Sequence, residues 1–167
     1  SVVPDPNPVL IRLDCEDPGD EEEFERRWRL ALSAAAATRR DLALMTMKWC
    51  LPLAMSRDAE VEKVMRKAVL ACPADQKRSL REVISWLKAK GGALGVEVGE
   101  ELESAADREL GRLFFHELGG RRGFSFDTGS RLTAFNLRGL VKPDADSVEE
   151  DWTPDERLSR PILALAS

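Results

Sequence analysis

The chain has 167 residues, 43% hydrophobic and 33% charged, which suits one globular domain able to bury roughly 70% of its unfolded surface. No run approaches the ~20 apolar residues of a membrane-spanning helix, and the opening SVVPDPNPV lacks the basic-then-apolar order of a secretion signal. A net charge of −5, with 6% aromatic residues and no tyrosine, argues against a surface built as a whole for nucleic acid and against a base-stacking platform.

Ser1 to Pro8 carries three prolines and reads as an extended lead-in, after which Val9-Leu10-Ile11-Arg12-Leu13 has the composition of a short strand. Eight acids then fall between Asp14 and Glu25 with no basic residue among them. Asp20 as N-cap, Glu23 three residues later and Glu21 and Glu22 in the first turn make this a helix start. The alternating ligands and glycine turn of a calcium loop are missing. Phe24, Trp28, Ala31, Ala35, Thr38, Leu42, Met45 and Trp49 recur at steps of four and three, predicting one long helix from Glu21 to Cys50, about 45 Å at ~1.5 Å per residue. Pro52 ends or kinks it.

A second helix fits Asp58 to Cys72, with Val61, Val64, Met65, Ala68 and Cys72 on one face and Pro73 as its break. A third fits Lys77 to Lys90, with Leu80, Val83, Ile84 and Leu87 inward and Gly91-Gly92 as its stop. Ala93 to Val98 reads as a glycine-containing loop. A fourth helix is expected from about Glu100 to Leu118, with Leu102, Ala105, Ala106, Leu110, Leu113 and Phe114 as its stripe, before Gly119-Gly120. Leu132 to Leu137 reads as a buried strand. Thr153 caps a final helix, Pro154 takes its first position, and the apolar run Ile162 to Ala166 follows without a stop signal.

The chemistry-bearing residues are few. Cys15, Cys50 and Cys72 are odd in number and far apart, without metal-finger or redox spacing, so they read as reduced thiols of a cytoplasmic protein, with Cys50 and Cys72 as core residues. The single histidine, His116, sits where a helix end favours a cation, and no spacing pairs it with Cys15. Gly119, Gly120 and Gly123 surround Arg121 and Arg122 but form no phosphate loop, because no Lys-Ser or Lys-Thr follows. The basic clusters, including Arg39-Arg40 and Lys63-Arg66-Lys67, read as solvated helix faces. No residue is assigned a catalytic, cofactor-binding or metal-binding role. Arg121, Arg122, Trp86 and Trp152 are the candidates for partner contact.

The end of the chain resembles the conjugation motor ATPases of type IV secretion systems, in the HerA/FtsK-like branch of P-loop motors. The similarity runs from Gly120 to Ser167 and rests on Gly123-Phe124 with Phe126-Asp127, on Leu132 to Leu140 (LTAFNLRGL), and on Trp152-Thr153-Pro154-Asp155-Glu156-Arg157-Leu158. Upstream only the layout is similar: an Asn-Pro entry, an arginine-rich first helix and a Ser-Leu-Arg-Glu start to the third. Those motors bind ATP and magnesium on strands that have no counterpart here, so ATP and Mg are implied for a full-length protein and no cofactor for this chain. The resemblance implies a helical insertion contacting a secretion channel, neighbouring motor subunits or a coupling protein. Nucleic acid would be met only through the whole motor, and the location would be the cytoplasm, at the inner face of the membrane through a secretion complex, without membrane insertion.

The expected fold is therefore mainly α, an antiparallel helical bundle with a small two-strand β element. Residues 1–20 form an extended lead-in with a short strand, 21–120 the bundle, and 121–167 a strand, an acidic loop and a terminal helix continuing into a missing core. The expected role is a non-catalytic subdomain of a translocation ATPase. The alternative is a self-contained helical adaptor that dimerises through the Phe24–Trp49 stripe. An enzyme built around Cys15 or His116 ranks below both.

Overall fold

In the computed structural model the described residues are 5–72, 80–108, 111, 115, 140, 143–144, 146–157 and 159. Helices dominate them: α1 (Pro8–Leu13), α2 (Glu21–Cys50), α3 (Leu53–Ser56), α4 (Ala59–Ala71), α5 (Leu80–Lys90) and α6 (Gly92–Asp107), followed by a 3-10 turn at Glu149–Asp151. No strand occurs among the described residues, and the expected strand at Leu132 to Leu137 lies outside them.

Val9 to Leu13 is not a strand. Asn7 is extended and its side chain accepts a hydrogen bond from the Val9 backbone N at 2.9 Å, while Pro8 occupies the first helical position. There its missing N–H leaves no intrahelical bond unmade, so Asn-Pro starts a helix where the apolar run alone reads as β. This α1 lies antiparallel along the first half of α2. Arg39 pairs with Asp5 at 2.6 Å near one end, and Arg12 holds the Glu21 carboxylate at 2.9 and 3.1 Å near the other.

The 30-residue α2 is unbroken, as its periodicity predicts. Asp20 Oδ1 accepts from the backbone N of Glu22 and Glu23 at 2.9 and 3.1 Å. The reciprocal half of the capping box is not made here. Glu23 instead accepts from the Glu16 backbone N and from Arg27 Nε. The expected stripe fails toward the C-terminal end, where the buried residues are Leu44, Thr46 and Met47 while Met45 is exposed. A strict alternation of four and three averages 3.5 residues per turn, but a straight helix has 3.6. The buried face therefore drifts by ~20° per heptad away from such a stripe.

The core forms where α4, α5 and α6 meet this end of α2. Met47, Met65, Leu87, Leu102 and Val98 are fully buried, with Phe115 among them. Each such side chain is worth roughly 1.5–3 kcal/mol in transfer free energy. Helix α4 matches its sequence pattern closely: Asp58 caps it through the backbone N of Glu60 and Val61, and Val61, Met65, Ala68 and Val69 face inward. It runs antiparallel to α2, with Lys48 on Glu62 at 2.8 Å across the pair.

Helices α5 and α6 form an antiparallel hairpin, with Lys88 on Glu103 at 2.7 Å and Arg81 on Asp107 at 3.4 Å. Ala93 to Val98 is not a loop, because α6 begins at Gly92. Gly92 has φ +69°, the only positive φ among the described residues, and it reverses the chain within a single step between the helices. A β-carbon on Gly95 would stand 2.8 Å from the Leu87 carbonyl oxygen, so glycine here permits close helix approach rather than helix termination. The fourth helix also ends earlier than expected, at Asp107, with Arg108 extended. Leu102, Ala105 and Ala106 are buried as the stripe predicts, whereas Leu110, Leu113 and Phe114 lie outside the described residues.

Candidate functional site

Two places on this body combine polar groups with an indentation. The first is the elbow after α2, where Leu51 and Pro52 are extended and α3 turns away. The acidic segment packs into this elbow, and Trp49, Leu51 and Leu53 from one side meet Glu149, Trp152 and Arg157 from the other around a space of about 30 Å³. That is room for one water molecule and nothing larger. Trp152 is half-buried here, and its indole Nε1 donates to Ser147 Oγ at 3.1 Å. Arg157 donates through Nε and Nη2 to the Trp152 carbonyl at 3.1 and 2.7 Å. Glu150 accepts from Arg57 Nη1 at 3.2 Å, tying the segment to the residue after α3.

The same segment contains the full capping box that α2 lacks. Glu156 backbone N donates to Thr153 Oγ1 at 3.3 Å, while Thr153 backbone N donates to Glu156 Oε2 at 2.7 Å. Trp152 is thus engaged within the molecule instead of being offered on a loop. Trp86 is half-buried and packs against the edge of the core. Arg121, Arg122 and His116 lie outside the described residues.

The second place is a groove between α2 and α4 with a volume of about 230 Å³. Leu44 and Val69 form its apolar floor, Leu70 and Ala37 its rim, and Arg40, Asp41 and Arg66 its charged edges. Arg66 is bound to Glu62 through Nε and Nη2 at 3.0 and 2.7 Å. Arg40 differs, because its Nε is buried without a hydrogen-bond partner. A buried donor left unsatisfied costs roughly 1–3 kcal/mol. The sequence reading missed the groove because it assigned both basic clusters to solvated faces. The doublet Arg39-Arg40 spans two faces of a helix, and only the neighbouring helix shows which arginine is covered.

The electrostatics elsewhere are those of fixed surface pairs. The hydrogen bond from Arg12 holds the Glu21 carboxyl below its ordinary range, and Lys48 and then Arg66 do the same for Glu62. Arg12 also lies 4.0 Å above the ring of Phe24, which stacks on Trp28 at 6.2 Å. Helix α1 therefore covers the Phe24 end of the long stripe, and Trp49 at its other end faces the elbow cavity.

All three cysteines remain thiols. Burial pushes the Cys50 thiol up to about 12, so it stays protonated at neutral pH and is a poor nucleophile. Cys15 is buried and donates through Sγ to the Ile11 carbonyl at 3.4 Å. Among the described residues no group of three or more His, Cys, Asp and Glu is arranged to hold a metal ion, and no helix is long and apolar enough to cross a membrane.

No curated protein and no solved structure gives a significant match to the chain. A protein-family comparison does, over residues 34–167, from the middle of α2 through α4 to α6 and the Trp152 segment. That match covers about four-fifths of the chain, and the chain accordingly belongs to the AAA-like domain family, which relates it to the P-loop ATPases.

Proposed function

We propose that this chain is the helical, non-catalytic subdomain of a conjugative DNA- or protein-translocating ATPase and that it makes subunit, channel or substrate contacts. The observation that carries the reading is the position of the AAA-like match. It falls on a helical body whose sequence contains no G-x-x-x-x-G-K-[ST] run. The phosphates of ATP need such a loop of backbone N–H groups with its lysine, and magnesium needs an acid at a strand end. Those groups would be supplied by residues beyond this chain. The Trp152–Arg157 segment further supports the reading, because it anchors the stretch with the family-like Trp-Thr-Pro-Asp-Glu-Arg order against the elbow after α2.

Extending the reading frame tests the proposal. A phosphate-binding loop upstream and an acid-ended apolar strand downstream are expected. A frame starting and stopping at Ser1 and Ser167 would instead favour the self-contained adaptor. Titration calorimetry supplies a second test: Mg-ATP added to the purified chain should give no saturable heat. Stoichiometric nucleotide binding by these residues would overturn the non-catalytic assignment.

A further inference from the structure

The groove between α2 and α4 has a complement elsewhere on the same surface. In α1, Val9, Leu10 and Leu13 share one face by their spacing, and they are 64%, 60% and 69% exposed. The opposite face, with Ile11 and Arg12, is the one that lies on α2. A six-residue helix thus turns three of its four large apolar residues to solvent. Directly after them come Asp14 and Glu16, whose carboxylates enter no ion pair among the described residues. The groove offers the converse: an apolar floor of Leu44 and Val69, a rim leucine (Leu70) that is 66% exposed, and Arg40, whose guanidinium enters no ion pair among the described residues. Asp41 stands on the same edge but pairs with neither arginine.

We propose that this groove receives the exposed face of α1 from a second copy of the chain, with a carboxylate of the acidic run (Asp14 or Glu16) bound by Arg40. The apolar residues of α1 cover Leu44, Val69 and Leu70, and the carboxylate pairs with the Arg40 guanidinium in a charge-assisted bond. Patch and groove are different surfaces, so the contact is heterologous: each copy keeps one groove and one α1 face for further neighbours, giving a ring or a filament rather than a closed pair. The idea deepens the subunit-contact part of the proposed function. The two fail separately, because gene context tests the motor and mass tests the contact.

The experiment is sedimentation equilibrium and light scattering on the complete 167-residue chain, up to about 1 mM, where even a contact with a millimolar Kd is about two-fifths formed. The expected result is an average mass that rises with concentration past that of a dimer. Leu10→Asp and Leu70→Asp change exposed side chains on the two halves of the contact. Each variant alone should be monomeric, but an equimolar mixture should form dimers and stop there, because one intact face then meets one intact groove. Arg40→Ala should weaken association roughly tenfold or more. A second α1 variant, Glu16→Lys with Asp14→Lys, alters only surface charge and should weaken it as well. Circular dichroism checks that each variant keeps its helix content. A constant monomer mass, a mixture that does not pair, or loss of association through Leu10→Asp but not Leu70→Asp would each overturn the proposal.

Discussion

Replacing Gly95 by alanine should destabilise this protein by about 1 kcal/mol, the opposite of what helix propensity alone anticipates. In an ordinary helix alanine gains about 0.5–1 kcal/mol over glycine. Here the added β-carbon would lie 2.8 Å from the Leu87 carbonyl oxygen, about 0.6 Å inside the 3.4 Å at which ordinary contact begins. That oxygen belongs to rigid backbone: it accepts the Gly91 N–H at 2.8 Å, and the Leu87 side chain is fully buried. The α5–α6 hairpin must open instead, and overpacking of that kind costs about 1–3 kcal/mol. The net loss is therefore about 1 kcal/mol and at most about 2.5. Gly99 is the internal control. Its β-carbon would meet Lys88 Cγ at 2.6 Å, a side chain that can change rotamer at the expense of its surface pair with Glu103, and the Ile84 carbonyl only at 3.6 Å. Gly99→Ala should therefore cost less than Gly95→Ala, because a side chain yields where backbone does not. Urea unfolding followed by circular dichroism reads both as midpoint shifts at constant m. If Gly95→Ala is as stable as the parent, or if both variants shift alike, the close-approach argument is wrong.

Leu87→Ala removes a fully buried side chain at the centre of the core and should cost about 2–5 kcal/mol, measured by the same denaturation. Asp58→Ala removes the acceptor for two backbone N–H groups of α4 and should cost about 1 kcal/mol, while Asp58→Asn should retain most of the stability. Cys50 titrates at about 12 in the folded chain against an ordinary 9.0. Its contribution is thus intact below pH 9 and is lost as pH rises from there toward 12, because only the unfolded chain releases the proton. A stability profile between pH 8 and 10.5 should fall less steeply for Cys50→Ala, and an unchanged slope would refute the assignment. Glu62 has the opposite sign. Its folded carboxyl lies below the ordinary 4.5, so its contribution is present above that value and disappears as pH falls through the folded one. The acid limb of the profile should therefore flatten in Glu62→Gln.

The legible parts of the fold are those in which local chemistry and tertiary burial agree. Asp20 and Asp58 stand at the starts of α2 and α4, and spacing selects Val61, Met65 and Ala68 of α4 and Val83, Ile84 and Leu87 of α5 correctly, while Val69 is buried without being expected and Val64 and Cys72 are only half-buried. The misreadings share one cause, a local signal with two physical uses. Apolar Val9 to Leu13 suits a strand, but Asn7-Pro8 sets the backbone for a helix. Glycines at 91, 92, 95 and 99 suit a loop, but at Gly95 the missing side chain serves contact with Leu87. The candidate site was the least legible feature. Trp152 stands out in the sequence yet is engaged internally by Ser147 and Arg157, whereas Arg40 is one arginine among many until the fold places it in the groove with Val69 and Leu70 of α4.

Composition, capping residues and periodicity by themselves determined that this is a mainly helical protein, where its longest helix begins, and which faces of α4 and α5 are buried. These follow from bonds and spacings within about four residues, which the order of residues encodes directly. Only the tertiary structure decided which turn of α2 enters the core, that α6 begins at Gly92, and that α1 leaves its apolar face exposed. Those outcomes depend on which surfaces meet across long separations in sequence, where burial, unlike hydrogen bonding within one helix, is settled by the neighbour and not by the segment itself.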